Sequence, residues 1–384
     1  MGRSGSGIAL LGALCGCGRI GFGPPGGDTN RDPDAFVGSC VGDGTFQPQV
    51  VYAAGGAQDV TVGALGGDAA PDVVVTDILQ SHAAVLINHG DGTFAPPFEL
   101  TTEVNPISID VASIDGDSLA DIVVANSVSS TVSVLRNLGG NEFAPQVTYA
   151  AGMRPRSVAL RDLSGDQRPD LTVVAYDNGM IHTRMNDGTG AFLSLSSDPV
   201  GAQPLELAVA DLDQDGDRDI VALSAADAFI VRLNLGGGTS WMSTTFTTRS
   251  SPVHLALGDV DGVGGPDVIV SLGSSEKLAV HLNDGSGAFG PEVLVPAGAG
   301  PRGVATGDFD HDGDLDLATA RLGNDVLSVI ENRGSEGFAP PASYPTDSGP
   351  GSVVAADVNV DGALDLVVGN VNVGTISVFI ANCR

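Results

Sequence analysis

Short apolar runs separated by glycine and aspartate recur along most of the chain. The segments 205–210, 220–223 and 229–233 show the pattern clearly, with an acidic stretch between the first two. Runs of four to six apolar and β-branched residues predict β-strands. Hydrophobic and polar residues alternate in 131–135 and 375–379, as they do in strands with one buried face. No window has the periodicity of a long amphipathic helix, so the sequence predicts an all-β protein.

Three landmarks repeat in one register, at intervals of 48 to 50 residues. The first is an aspartate that precedes an apolar run: Asp72, Asp121, Asp170, Asp219, Asp267, Asp316 and Asp365. The second is an aromatic residue: Phe46, Phe94, Phe143, Phe192, Trp241, Phe289 and Phe338. The third is an asparagine that ends a strand: Asn88, Asn137, Asn186, Asn234, Asn283, Asn332 and Asn382. We therefore interpret residues 40–384 as seven copies of one unit.

Four short strands in each copy favour a β-propeller of seven four-stranded blades. An open β-solenoid is the alternative, but its coils are shorter and do not form four-stranded sheets. The last copy lacks its fourth strand, and the segment 42–52 supplies the missing residues at the front of the chain. We therefore expect the N-terminal strand at 49–52 to complete the last blade and close the ring.

A nine-residue acidic loop joins the first two strands of each copy. In the best copies oxygen donors stand at positions 1, 3, 5 and 9, a glycine stands at position 6, and position 7 can offer its carbonyl. This pattern is typical of a hard cation, and many oxygens in a flexible loop favour Ca²⁺ over Mg²⁺. An EF-hand is excluded because position 12 lies within a strand and carries no glutamate. An acidic turn that binds nothing is the alternative, although crowded aspartates repel one another without a counter-ion.

The copies differ in the donors that they keep. The fourth, sixth and seventh copies are the best candidates to bind Ca²⁺, through Asp211, Asp213, Asp215, Asp217 and Asp219; Asp308, Asp310, Asp312, Asp314 and Asp316; and Asp357, Asn359, Asp361 and Asp365. The third and second copies have weaker sets, which are Asp162, Ser164, Asp166 and Asp170; and Asp115, Asp117 and Asp121. The fifth has Val263 at position 5 and is left out of the predicted set, and the first is expected to bind no ion. We expect several Ca²⁺ sites, about three to five.

The segment 304–316, Val-Ala-Thr-Gly-Asp-Phe-Asp-His-Asp-Gly-Asp-Leu-Asp, resembles the core of the VCBS and FG-GAP repeats. These repeats build the seven-bladed propeller of integrin α-subunits and of many bacterial surface proteins. The resemblance extends over all seven copies and is closer to the VCBS subtype. It implies Ca²⁺ in the acidic loops, with ions that mainly stabilise the blades and ligands that bind to other surfaces.

The N-terminal residues predict export. The apolar run 8–14 follows Arg3 and is too short to span a bilayer, as in the core of a signal peptide. It ends in Leu14-Cys-Gly-Cys17, which resembles the lipobox of bacterial lipoproteins; an ordinary secretory signal is the alternative. We therefore expect a signal peptide at 1–16, lipidation of Cys17, and a flexible glycine- and proline-rich tether at 17–39. The predicted location is the bacterial cell envelope or surface.

Two cysteines, Cys40 and Cys383, remain in the predicted exported domain. Cys40 lies six residues before the landmark Phe46, and Cys383 follows Asn382, so ring closure brings both to one corner of the last blade. An even pair of cysteines in an exported protein favours a disulfide. We predict a Cys40–Cys383 bond that holds the N-terminal strand on the final blade. Two buried free thiols are the alternative.

The charge of the chain restricts its partners. It has 47 acidic and 17 basic residues and a net charge of −30 at pH 7. This balance argues against nucleic-acid binding and against adhesion to anionic lipid, which leaves an N-terminal lipid anchor as the membrane contact. A hydrophobic content of 42% excludes an acidic disordered chain.

No catalytic pattern stands out in the sequence. Six histidines are scattered without a zinc spacing, and no nucleophile elbow, phosphate loop or dinucleotide fingerprint is present in the repeats. We expect a monomeric, calcium-stabilised, surface-tethered binding or adhesion module for a protein or glycan ligand, with no catalysis of its own. The alternative is a polysaccharide-active enzyme, of lyase or hydrolase type, with its site at one mouth of the propeller channel.

Overall fold

The computed structural model describes residues 40–383, so the predicted signal peptide, Cys17 and the tether lie outside the described residues. Residues 40–383 form seven four-stranded antiparallel sheets, which we number blades 1 to 7 in the chain order of their first strands. Helical structure within this range is limited to the 3₁₀ turn Gly334–Glu336. No helix of the described residues is long and apolar enough to cross a membrane. The predicted all-β, seven-bladed propeller is confirmed.

The blades share one strand order. The first strands are Val60–Gly63, Pro106–Ala112, Pro155–Arg161, Pro204–Ala210, Pro252–Gly258, Pro301–Gly307 and Pro350–Ala356. The second strands are Asp72–Asp77, Asp121–Asn126, Asp170–Ala175, Asp219–Ser224, Asp267–Leu272, Asp316–Arg321 and Asp365–Asn370. The third strands are His82–Leu86, Thr131–Leu135, Met180–Arg184, Ala228–Asn234, Lys277–His281, Val326–Ile330 and Thr375–Phe379. The fourth strands are Phe98–Thr101, Val147–Ala150, Ser196–Pro199, Trp241–Thr247, Val293–Pro296, Ala342–Pro345 and, for blade 7, Val50–Ala53.

Two small ribbons complete the strand set, Gly42–Phe46 with Ala381–Cys383 and Asn137–Gly139 with Glu142–Phe143. The first strands surround a central channel. Each one contacts the first strands of both neighbouring blades, and the ring closes where blade 7 meets blade 1. The second strands are fully buried, and the fourth strands form the mostly exposed outer rim.

The hydrophobic core lies between blades. Each cluster of buried side chains draws on two neighbouring sheets: Val74 and Val85 of blade 1, for example, pack with Ile122 and Val124 of blade 2. A single blade therefore cannot bury its apolar faces alone, and the ring is stabilised as a whole.

The repeated aspartate holds each blade together from within. In blade 5, one carboxylate oxygen of Asp267 accepts the N–H of Asn283 at 2.7 Å, and the other accepts the N–H of Val260 at 2.8 Å. The same two bonds recur on the equivalent aspartate of the other six blades. Both oxygens of this buried carboxylate are satisfied by backbone N–H groups, which fixes the base of the acidic loop.

The repeated asparagine joins each blade to the preceding one. Nδ2 of Asn283 donates to the carbonyl of Leu212 in blade 4 at 2.8 Å. The equivalent bond to the preceding blade is made by Asn88, Asn137, Asn186, Asn234 and Asn332. One type of buried amide therefore bridges six of the seven blade boundaries.

The aromatic landmarks also pack across blade boundaries. Four of them meet an aromatic side chain from the fourth strand of the preceding blade in an edge-to-face arrangement, with ring centroids 5.3 to 5.7 Å apart. The pairs are Tyr52–Phe94, Tyr149–Phe192, Phe246–Phe289 and Tyr344–Phe46. This geometry contributes about 0.5–1.5 kcal/mol beyond the burial of the rings.

Blade 7 is built from both ends of the described chain. Its fourth strand, Val50–Ala53, pairs with Thr375–Phe379, as predicted. The asparagine position, however, is occupied by Ala381, whose N–H donates to Asp365 at 2.8 Å. Asn382 instead donates from Nδ2 to Oγ1 of Thr45. The prediction of Asn382 as the seventh landmark is wrong by one residue.

At the boundary between blades 6 and 7, a backbone hydrogen bond replaces the asparagine bridge, and a disulfide lies in blade 7. Because Ala381 has no side-chain amide, the carbonyl of Phe309 in blade 6 accepts the N–H of Gly44 at 3.2 Å. Cys40 and Cys383 form a disulfide with Cα atoms 5.2 Å apart, although 343 positions separate them in the chain. The predicted Cys40–Cys383 bond is confirmed, and it fastens the start of the described chain to its end.

Candidate metal sites and the central channel

The seven acidic loops lie together at one end of the propeller, which we call the loop face. Each loop joins the end of a first strand to the start of a second one. In blade 4, Gln214 and Gly216 at positions 4 and 6 have φ values of 62° and 95°. These turns fold the loop back, and the N–H of Gly216 reaches a carboxylate oxygen of Asp211 at 3.1 Å. Glycine is favoured at position 6 because other residues are strained at such a φ.

Three carboxylates converge in each of blades 4, 5 and 6. They come from positions 1, 3 and 9 of the loop, and one oxygen from each lies within 4.8 Å of the other two. The groups are Asp211, Asp213 and Asp219; Asp259, Asp261 and Asp267; and Asp308, Asp310 and Asp316. Like charges at this separation repel one another, so the arrangement suits a cation that all three contact.

Two carboxylate oxygens of the blade 4 group are buried without a hydrogen-bond partner. They are Oδ1 of Asp211 and Oδ1 of Asp213. A buried acceptor that lacks a donor costs about 1–3 kcal/mol, and more when it is charged. A divalent cation between the two aspartates would remove that cost. The donors are all oxygens, which fits a hard cation such as Ca²⁺.

The protonation of these aspartates depends mainly on burial. Burial raises the pKa of Asp219 to about 6 and that of Asp267 and Asp316 to about 7, while their backbone hydrogen bonds act in the opposite direction. Burial also raises the pKa of Asp213 and Asp310, and the neighbouring carboxylates at position 5 raise it further. The loops therefore hold carboxylates that are costly to ionise until a cation is bound.

The predicted donors at positions 5 and 7 have a different environment. In blade 4, Oδ1 of Asp215 accepts the N–H of Asp217 at 2.9 Å, and Asp312 and Asp314 repeat this bond in blade 6. These bonds shape the outer part of the loop. None of the four side chains belongs to the converging groups, so their role as ligands stays a prediction.

The loops of blades 7 and 3 are satisfied from within. In blade 7, Asp361 accepts the side-chain N–H of Asn359 at 2.8 Å and the N–H of Ala363 at 2.9 Å, while Asp357 accepts the N–H groups of Asp361 and Gly362. Asp365 is bound at the loop base. In blade 3, Asp162 accepts five hydrogen bonds, from Oγ of Ser164 and from the N–H groups of residues 164–167. The carboxylate of Asp166 lies 3.7 Å from Arg168. The carboxylate of Asp170 accepts two backbone N–H groups at the base of the loop.

Blade 2 also differs from the converging groups. Asp115 lies 3.6 Å from Arg136, Asp117 accepts the N–H of Leu119, and Asp121 is bound at the loop base. Within residues 40–383, the donors predicted for blades 2, 3 and 7 do not form a three-carboxylate group of their own loop. Metal binding in these three loops stays a prediction.

The loop of blade 5 was left out of the predicted set, but its carboxylates converge. Val263 replaces the position 5 donor, yet Asp259, Asp261 and Asp267 converge as in blades 4 and 6. The signal was present in the sequence, because positions 1, 3 and 9 are all aspartate in these three blades alone.

Polar side chains on the first strands, or directly before them, line the central channel. Asp59 accepts the N–H of Ile109 at 3.1 Å, and Glu206 accepts the N–H of Leu255 at 2.9 Å, each across a blade boundary. The first strand is an edge strand, so its channel-facing N–H groups need such partners. Nε2 of His254 lies 2.9 Å from the other oxygen of Glu206, which places a histidine–carboxylate pair in the channel.

Solved structures share this fold at low sequence identity. A streptogramin B lyase has a TM-score of 0.63 and 13% identity, with 88% of this chain and 98% of that chain covered. BBS1N, solved in complex with ARL6DN, has a TM-score of 0.61 and 14% identity over 89% and 97% of the two chains. An Agrocybe aegerita lectin that recognises non-reducing terminal N-acetylglucosamine has a TM-score of 0.58 and 21% identity over 84% of each chain. At these identities the likeness extends to the fold alone.

The sequence itself identifies the family. No curated protein is significantly similar to this chain. The profile of the FG-GAP-like repeat, however, matches five overlapping segments, 65–124, 113–173, 162–222, 211–270 and 259–319. Each match begins within one acidic loop and ends shortly after the next one, and the last three matches contain the converging carboxylate groups of blades 4, 5 and 6. Because the matches together span well over half of the sequence, the chain belongs to the FG-GAP-like repeat family.

Proposed function

We propose that this protein is a calcium-stabilised, cell-surface-tethered binding module for a protein or glycan ligand, monomeric and without catalysis of its own. The observation that carries the calcium part is the convergence of three carboxylates in blades 4, 5 and 6, with buried oxygens of Asp211 and Asp213 that lack donors. Asp211, Asp213 and Asp219 and their counterparts would hold the ions. Bound Ca²⁺ would neutralise the loops and strengthen the packing of the blades.

The binding part of the proposal rests on the polar side chains of the channel, most of which are already used in hydrogen bonds within the protein. Most polar side chains of the first strands bond to backbone N–H groups or to one another, as Asp59 and Glu206 do. A rigid ring with two broad faces offers surface for recognition. The lectin with the same fold recognises a terminal sugar, and a glycan ligand is one of the two classes that we propose for this chain.

Ligand binding is tested with the exported protein on arrays of glycans and of cell-surface proteins, with Ca²⁺ or with chelator. We expect a Ca²⁺-dependent signal on a restricted set of ligands. Asp213→Asn should weaken the signal at limiting Ca²⁺, and Asp68→Asn, in the loop without aspartates at positions 1 and 3, should not. Absence of binding on both arrays in Ca²⁺ would contradict the proposal.

Tethering is proposed through lipidated Cys17, with residues 17–39 as the spacer and export to the bacterial envelope or surface. The disulfide supports an oxidising compartment. Cys17→Ser should move the protein from the membrane fraction to the soluble fraction without a change in its melting temperature. An unmodified Cys17 thiol in exported wild-type protein would contradict the anchor.

A polysaccharide-active enzyme is the second candidate, and the His254–Glu206 pair in the channel is the observation that favours it. A histidine next to a carboxylate is a common acid–base arrangement. The assay is release of reducing ends or unsaturated sugars from a panel of polysaccharides, with Glu206→Gln as the matched variant. Product formation that Glu206→Gln abolishes would favour the enzyme over the binding module.

A further inference from the structure

The channel opens at the end opposite the loop face through a mouth that carries two arginines. Arg156 and Arg302 stand at the second position of the first strands of blades 3 and 6, and both line this opening. We call it the arginine mouth. In the other five blades the same position holds uncharged residues: Gln58, Ile107, Leu205, Val253 and Gly351. The positive charge is therefore confined to two blades.

Neither arginine has an ion-pair or hydrogen-bond partner among residues 40–383. Arg156 has only the ring of Tyr176, 5.9 Å away, and its Nε is buried without an acceptor. Most other described arginines lie within 4 Å of a carboxylate, as Arg161 does with Asp110 at 2.9 Å. The half-buried Arg184 and the buried Arg321 also lack a carboxylate within this range, but each donates hydrogen bonds to other groups, which Arg156 and Arg302 do not.

The carboxylates nearest to the mouth bond to other groups. The two oxygens of Glu206 contact Nε2 of His254 and the N–H of Leu255, both at 2.9 Å. Asp59 accepts the N–H of Ile109 at 3.1 Å and the hydroxyl of Ser352 at 3.2 Å. Burial lowers the pKa of both arginines, and the charge of Arg154 lowers that of Arg156 further, while Tyr176 and the charge of Glu206 act in the opposite direction. An arginine keeps its charge under such conditions. Asp59 and Glu206 also line the mouth, but among residues 40–383 neither carboxylate forms an ion pair with Arg156 or Arg302.

We propose that the arginine mouth binds the carboxylate of an acidic sugar. A planar guanidinium pairs with a carboxylate through two parallel hydrogen bonds. A carboxylate therefore suits Arg156 and Arg302 better than a spherical anion does. The hydroxyl of Ser157 is buried there without a partner, and Gln58 also lines the opening, so the mouth also offers polar groups to sugar hydroxyls. This inference deepens the proposed binding function and rests on its glycan form.

The mouth lies at the end of the propeller opposite the start of the described chain. Cys40, where the described chain begins, lies at the loop face, because its N–H donates to the carbonyl of Asp361 in the acidic loop of blade 7. The first strands run from the arginine mouth to the loop face, and seven residues of strand span about 23 Å. The mouth and the start of the described chain are therefore separated by the full height of the ring.

The test compares D-glucuronate with D-glucose by calorimetry on the full Ca²⁺-loaded protein. The two sugars share one ring and differ only in the carboxylate at C6. We expect glucuronate to bind at least about tenfold more tightly, and Arg156→Gln and Arg302→Gln each to weaken it about tenfold or more. Arg249→Gln, which removes an exposed arginine paired with Glu292, should leave the affinity unchanged. Melting temperatures in Ca²⁺ verify that each variant is folded.

Equal affinity for the two sugars, no glucuronate binding at millimolar concentrations, or normal affinity in Arg156→Gln and Arg302→Gln would each overturn the proposal. Acetate and inorganic phosphate serve as further probes. If they compete as strongly as glucuronate does, the mouth binds small anions in general, and the proposal that it recognises an acidic sugar is overturned. If the arginine variants keep all binding on the glycan array, this inference fails while the proposed function stands. An array without any glycan signal would instead contradict the glycan form of that function.

Discussion

Oδ1 of Asp211 and Oδ1 of Asp213 are both buried and both lack a hydrogen-bond donor, although the two side chains converge in one loop. A folded chain keeps such an arrangement only if something else compensates for it. Metal binding to the folded state alone would do so, since it adds about 2.7 kcal/mol per site at a hundredfold excess over Kd.

Removal of Ca²⁺ should therefore lower the melting temperature markedly, and Ca²⁺ should restore it better than Mg²⁺ does. Asp213→Asn should lower the melting temperature in Ca²⁺, because a ligand charge is lost. In chelator the same variant should be neutral or stabilising, because it relieves the repulsion between Asp213 and its neighbours. Asp68→Asn is the control in both conditions. A melting curve that is unaffected by exhaustive metal removal would rule out this role for Ca²⁺.

The pH dependence of stability should change direction with Ca²⁺. The pKa of Asp267 and Asp316 in the folded, metal-free chain is about 7, well above the 3.8 of an exposed aspartate. Between these values the folded chain binds more protons than the unfolded chain, so the free energy of unfolding falls as pH rises. Ca²⁺ binds the ionised carboxylates, so the free energy of unfolding of the Ca²⁺-bound protein should rise with pH over the same pH range. Denaturant titrations between pH 4.5 and 8 measure both trends, and parallel trends would contradict the prediction.

Loss of the asparagine side chain should cost more at Asn283 than at Asn382, which the sequence repeat suggests is equivalent. Asn283→Ala leaves the buried carbonyl of Leu212 without its donor, and we expect a loss of about 1–3 kcal/mol in the free energy of unfolding. Asn382→Ala removes only an exposed bond to Thr45, with an expected loss below about 0.5 kcal/mol. Equal losses in urea denaturation would show that the bridge is not what stabilises the boundary.

The disulfide should contribute strongly because it closes nearly the whole described chain. The loop-entropy estimate gives an upper limit of about 6 kcal/mol for a loop of this length. The Cys40→Ala and Cys383→Ala double variant should unfold at lower denaturant than the oxidised protein and should match the reduced wild type. Peptide mapping without reductant supplies the check, since free alkylatable thiols at both positions in exported protein would refute the bond.

The sequence was sufficient to predict the blades because its landmarks have backbone roles. The residues equivalent to Asp267 and Asn283 bond to main-chain groups in the same way in blades 1 to 6, so the same residue types recur at one spacing and the period is visible. Closure by the N-terminal strand followed from the same register. The error at Asn382 arose where the register failed: Ala381 lacks the amide, and the N–H of Gly44 acts in its place.

The candidate sites were only partly predictable. Spacing alone predicted both Asp213 and Asp215 as ligands. In the structure Asp213 belongs to the converging carboxylates, whereas Asp215 accepts the N–H of Asp217 within its own loop. The arginine mouth was not predictable at all. Arg156 and Arg302 are three repeats apart, and only ring closure brings them to one opening.

The bond between Cys40 and Cys383 also decides how the protein responds to a mechanical load. Tension applied through the chain before Cys40 reaches the disulfide before it reaches Gly42–Phe46 or Val50–Ala53. Without the bond, those two strands would peel away one hydrogen bond at a time, which opens the ring at low force. With it, the pull passes to Ala381–Cys383 and from there to Thr375–Phe379 inside blade 7. If the protein is tethered as proposed, a pull on the tether would thus load a covalent link rather than the weakest edge of the ring.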